Sequence, residues 1–164
     1  MEFNSFGGLA LHMAGLHVEV AKKLQEGLER CAERIELEAK AEIGKYQAAA
    51  GPFPAWEQLA DSTEQEKARL GYPADSPLLR TGAMEGEISH SVAPLEAVVG
   101  AKDTPAGRIL VYHEFGTPKM PPRSVLGPAA FRSKDFILRT IGRAAVSGLI
   151  GSDRIHPSLG YDSE

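Results

Sequence analysis

Residues able to do chemistry are few in this chain and poorly placed for it. Five histidines (His12, His17, His90, His113 and His156) and one cysteine, Cys31, are the softest metal ligands it offers. A metal site needs ligands that converge at short spacing. His12 and His17 are five apart, out of register for one helical face, while His90 and His156 stand alone. The run Ile109 to Phe115 predicts a strand, which puts His113 and Glu114 on opposite faces, where they share neither a metal nor a proton. Ser89-His90-Ser91 pairs a base with hydroxyls only in sequence, because adjacent residues do not form a relay. Gly82-Ala-Met-Glu-Gly86 has the wrong spacing for a phosphate loop, and no nucleophile elbow or Walker motif occurs. The expectation is a protein that is not an enzyme and uses no cofactor and no metal.

The bulk properties narrow the class further. With 164 residues, 43% of them apolar and 24% charged, the chain has the make-up of one globular domain, taken as 1–150 with a loosely ordered tail over 151–164. No apolar run reaches the ~20 residues of a membrane span. The N-terminal MEFNSFGGLALHMAGLH lacks the basic start of a signal peptide, which points to the cytoplasm, as does the lone cysteine. Net charge is −4, but Lys119 to Arg154 carries seven basic and two acidic residues, a local +5 that leaves −9 for the rest. That polarity fits solvated helix faces or a head-to-tail oligomer better than a nucleic-acid stripe, since only Phe131 and Phe136 interleave the basic residues.

Periodicity supplies the elements. Val20, Leu24, Leu28, Cys31, Ile35, Ala39, Ile43 and Tyr46 recur at steps of three and four, which predicts a helix over about Gly15 to Gln47. At 1.5 Å per residue it is ~50 Å long, more than a domain of this size covers by itself. Gly51-Pro52-Phe53-Pro54 breaks the chain and opens a long excursion to Pro77, with a short helix capped by Thr63 and Glu66 and closed by Gly71. The middle third reads as three short strands, Ile88 to Val92, Ala97 to Val99 and Ile109 to Phe115. A final helix starts near Gly127-Pro128 and runs to about Leu149. The fold class is therefore α+β: a small antiparallel sheet flanked by a long N-terminal helix and a C-terminal helix, with a long loop excursion.

Between the last strand and the last helix lies YHEFGTPKMPPRSVLGPAA, Tyr112 to Ala130. Gly116 permits a turn that no β-branched residue accepts. Pro118, Pro121 and Pro122 predict a stiff, extended path, and Arg123 is placed to donate to carbonyls or a carboxylate. Such an arm loses little entropy on docking.

Within it, EFGTPKMPPR (Glu114 to Arg123) resembles the signature segment of tailed-bacteriophage neck proteins, also called head–tail joining or tail-completion proteins. PLLRTGAMEGEISHSV, from Pro77 to Val92, resembles that family's Leu-x-x-Thr-Gly-x-[Leu/Met]-x-x-Ser-[Ile/Val] segment. Trp56, Leu59, Thr63 and Lys67 are similar to a run in its Mu-type virion morphogenesis branch. The three segments keep the family order across roughly Trp56 to Phe136. Ser124-Val125 stands where the family has Pro-Phe, and Gly127 where a larger residue is common.

The resemblance implies an α+β subunit of a homo-oligomeric ring of about six to twelve copies, a hexamer or dodecamer. Such a ring sits in the virion neck, assembled in the host bacterial cytoplasm. Its implied partners are portal, adaptor or head-closure proteins on one side and tail-tube or tail-terminator proteins on the other. DNA passes through the lumen without sequence-specific binding, and no membrane is involved. Tyr112, Glu114, Phe115, Gly116, Thr117, Met120, Pro121 and Arg123, with Trp56, are the expected inter-subunit contacts. A tail-terminator or tail-completion subunit capping the tail tube is the alternative within the class. A small cytoplasmic enzyme is the distant alternative, which a pocket of converging polar groups around His113 or Ser89 would favour.

Overall fold

Thirty-seven residues, Phe6–Glu42, wind into one helix, α1. It starts earlier and stops sooner than the periodicity indicates. Gly44 explains the stop: its φ of 86° takes the chain into the left-handed region, and its N–H turns to the Pro77 carbonyl at 2.8 Å. Ile43 and Tyr46, read as helical, therefore follow the helix and still reach the core. The structure, a computed structural model, describes residues 5–151. Apart from Gly151, the expected loose tail lies outside the described residues, as does His156.

The order from there is α2 (Asp61–Arg69), α3 (Ala83–Gly86), β1 (Ile88–Ala93), β2 (Glu96–Ala101), α4 (Pro105–Phe115), α5 (Leu126–Arg132) and α6 (Lys134–Ile150). The architecture is α+β, with a long N-terminal helix, a small antiparallel sheet and a C-terminal helix. Strands β1 and β2 pair as the two-stranded sheet, joined through Pro94 and Leu95, the latter at φ 62°. Proline followed by a positive φ is the signature of a type II turn.

Three expectations need correction. Ile109 to Phe115 is not a third strand but the body of helix α4. Ile, Val and Tyr favour strands, yet the deciding signals are at the ends. Thr104 is the N-cap, its side-chain oxygen accepting from the Gly107 N–H at 3.0 Å, and Pro105 fills the first turn. Second, Thr63 and Glu66 form no capping box. Ala60 occupies the N-cap of α2 without a side-chain cap, and Glu66 pairs instead with Arg80 at 3.0 Å. Third, the final helix is two helices. Ser133, at ψ −1°, departs from helical geometry and separates α5 from α6.

The chain divides into two compact units. One contains α1 up to Ala32, residues 92–97 and α6 from Asp135. Here α1 and α6 approach closely, because a Cβ on Gly148 would lie 2.7 Å from the Val20 backbone and one on Gly27 would lie 3.1 Å from Ala144. Small residues let two helix backbones come near each other, and Cys31 packs at this seam, its thiol pKa raised by burial. The other unit contains the end of α1, residues 33–91 and 98–134. Its core is built on Ala39, Ile43, Trp56, Ile88, Leu110 and Val125.

Candidate functional site

The segment Glu114–Arg123 folds as a clasp within the second unit, and its polar residues are the fastenings. Helix α5 begins at Leu126 with Val125 as N-cap and no side-chain cap of its own. Glu114, at the end of α4, supplies one from a distance. Its Oε2 accepts from the N–H groups of Val125 and Leu126 at 2.7 and 3.0 Å, and its Oε1 from that of Gly127 at 3.0 Å. A helix start leaves its first N–H groups without partners and favours negative charge, so one carboxylate satisfies both demands. The Glu114 carbonyl accepts from Ser124 Oγ at 2.8 Å, and the Arg123 N–H donates to the His113 carbonyl at 2.7 Å.

Between these fastenings the chain makes a tight turn, not the extended polyproline-like arm expected from its prolines. Thr117 and Met120 exchange two backbone hydrogen bonds of 2.9 and 3.1 Å, with Pro118 and Lys119 at the tip. Gly116 makes the turn feasible. Its φ is 72°, and a Cβ there would stand 2.9 Å from Pro122 N, so both conformation and space require glycine.

Arg123 is 6% exposed and donates from Nη2 to the carbonyls of Glu57 and Gln58 at 3.1 and 3.4 Å. Trp56, 7% exposed, donates from its ring N–H to the Ser124 carbonyl at 3.2 Å. The excursion is thereby tied to the clasp at three neighbouring residues. Of the nine sequence-derived contact residues, Trp56, Glu114 and Arg123 thus spend their polar groups inside the subunit, while Met120 and Pro121 are half-buried. Tyr112, Phe115 and Thr117 face outward, and Phe115 is 80% exposed. Gly127 stands where a Cβ would meet the Phe53 ring at 2.4 Å, so the Phe53 side chain occupies the room a larger residue would take.

A cavity of about 720 Å³ opens beside the clasp, within the same unit. His113, Lys67 and Arg123 line it; Ser89, on β1, does not. Burial, reinforced by the Arg123 charge, holds the His113 pKa below its ordinary value. Its Nδ1 has no hydrogen-bond partner, so no nucleophile is bonded to that ring nitrogen. Of its lining, sequence reasoning singled out only His113 as a possible pocket residue, since the cavity gathers residues from four separate stretches. Among the described residues, no cluster of three or more His, Cys, Asp or Glu side chains could hold a metal ion, and no helix is long and apolar enough to cross a membrane.

Comparison with known proteins gives no family model, no curated protein and no solved structure that matches this chain.

Proposed function

We propose that this chain is a structural subunit of a phage neck. Copies close into a homo-oligomeric ring that joins the capsid connector to the tail and lets DNA pass without reading its sequence. The ring is assembled in the host bacterial cytoplasm and ends in the virion.

The observation that carries this reading is the division of labour within Glu114–Arg123. Glu114 and Arg123 hold the segment in shape, while Phe115 is held out in solvent at 80% exposure. A lone subunit gains nothing from a clasp that keeps a phenyl ring in water. A neighbour that covers the ring gains roughly 25 cal/mol for each Å² buried. Val111 and Tyr112, also exposed, share the face of α4 that carries Phe115, since they precede it by four and three residues. In the other unit, α1 opens with Phe6, Leu11, Met13 and Val18 exposed, a second apolar surface that a neighbouring copy would cover. The net charge of −4 suits a lumen through which DNA must slide.

Electron microscopy of the purified protein tests the proposal. Closed rings with a central hole wide enough for duplex DNA are expected; open filaments or single subunits at every concentration would count against it.

One observation favours a second reading, an enzyme: the cavity does contain His113. Against it, Ser89 lies outside the cavity and Nδ1 of His113 bonds no hydroxyl, so the serine and histidine singled out in the sequence do not meet there.

A further inference from the structure

The cavity beside the clasp holds more buried positive charge than the fold uses. Lys67 and Arg123 are 5% and 6% exposed, and both line it. Neither meets a carboxylate at ion-pair distance. Lys67 Nζ donates to the Ser76 carbonyl at 2.5 Å, and Arg123 has only the carbonyls of Glu57 and Gln58. Arg123 Nε lacks a partner altogether, and so does Nδ1 of His113. Arg80 and Lys119 add positive charge to the lining, although Arg80 is already paired with Glu66. Glu57 is the one acid there. Burying a cation without a counter-ion in contact is expensive, and here Arg123 has none and Lys67 only the more distant Asp75 and Glu64, while both border one open space. The remaining wall is mainly apolar, with Leu59, Ile109 and Met120, beside Gln58, Thr63 and Thr81. A concave, largely apolar volume of this size with a few polar groups is the usual form of a ligand site.

We propose that this cavity binds a carboxylate carried on an apolar stem. The carboxylate supplies the direct ion pair that Lys67 and Arg123 lack, and the stem lies against Leu59, Ile109 and Met120. Arg and Lys side chains serve phosphates as well as carboxylates, so it is the apolar wall beside them that points to an anion on an apolar stem and not to a compact phosphate. An acidic side chain flanked by apolar residues and a small free carboxylate present the same chemistry. The site does not depend on ring formation, because every residue in it belongs to one subunit.

Calorimetry on the purified chain tests this with two pairs of probes. Octanoate is compared with 1-octanol, and the capped tripeptide Leu-Glu-Leu with Leu-Gln-Leu. At least one carboxylate probe is expected to bind saturably at one site per chain. Its neutral counterpart should bind about thirty-fold more weakly or worse, the scale on which an uncompensated buried charge acts. Lys67→Met should cause a comparable loss. If that variant fails to fold, Thr63→Phe serves instead: Thr63 is exposed on α2 and lines the cavity, so the ring should block the site and leave the circular dichroism unchanged. Binding of octanoate alone assigns the site to small molecules, and binding of the peptide alone to an acidic protein segment. No binding by either carboxylate, equal binding by the neutral probes, or binding indifferent to Thr63→Phe overturns the proposal.

Discussion

Replacing Glu114 with alanine takes from α5 the acceptor of three backbone N–H groups at once. Those groups, on Val125, Leu126 and Gly127, lie at 2.7 to 3.0 Å from the carboxylate, and Val125 is fully buried. A lost helix cap costs about 1 kcal/mol, and each hydrogen bond to a charged group contributes about 1.5–3 kcal/mol. The terms overlap, and water recovers part of the loss at the half-buried Leu126 and Gly127, so about 2–4 kcal/mol is expected for Glu114→Ala. Glu114→Gln keeps one acceptor oxygen without the charge and should cost about half as much. The assay is urea denaturation of dilute protein, followed by the fluorescence of Trp56. That residue is the chain's single tryptophan, and its ring N–H bonds the Ser124 carbonyl beside the clasp. The midpoint should fall while the slope stays constant. A Glu114→Ala protein within about 0.5 kcal/mol of the parent, the range of an ordinary surface change, would refute the capping argument.

Gly116→Ala should destabilise the subunit by about 1–3 kcal/mol in the same assay, since φ is 72° and the new methyl meets Pro122 N at 2.9 Å. Phe115→Ser should leave the denaturation midpoint of the dilute subunit unchanged, because the ring is exposed, yet weaken self-association measured by sedimentation. Gly148→Val should cost about 1–3 kcal/mol of thermal stability by driving a side chain into the Val20 backbone of α1. Glu42 governs a pH effect. Burial pushes its pKa up to about 7 against the pull of Arg132, from an ordinary value of 4.5. A carboxyl that keeps its proton longer when folded favours the fold fully below about pH 4.5 and loses that contribution as the pH rises through about 7. Stability measured across this window should therefore fall less steeply in Glu42→Gln than in the parent.

The parts of the fold legible in the sequence are those set by local pattern. The stripe from Val20 to Ile35 is the inward face of α1, and the β1–β2 hairpin lies where alternation and Pro94 put it. Gly116 was legible as a turn because only glycine suits its φ, and Arg123 as a donor to carbonyls or a carboxylate, of which the carbonyls of Glu57 and Gln58 take that place. α4 was misread because Ile109, Val111 and Tyr112 have strand propensity, while its Thr104-Pro105 start and Gly116 stop look equally like turns. The role of Glu114 was out of reach. It depends on residues 125–127 returning to the end of α4, a contact across 11 to 13 residues that no periodicity encodes. The cavity is non-local in the same way, drawing on α2, the 78–84 segment, α4 and the turn.

The most direct test of the central claim is the mass of the purified protein in solution, by light scattering behind a sizing column over a wide range of concentrations, with Phe115→Ser run alongside. The account predicts a discrete species of about six to twelve subunits that the substitution shifts toward the single subunit. A parent protein that stays monomeric throughout would contradict it, as would an oligomer that ignores the loss of the Phe115 ring.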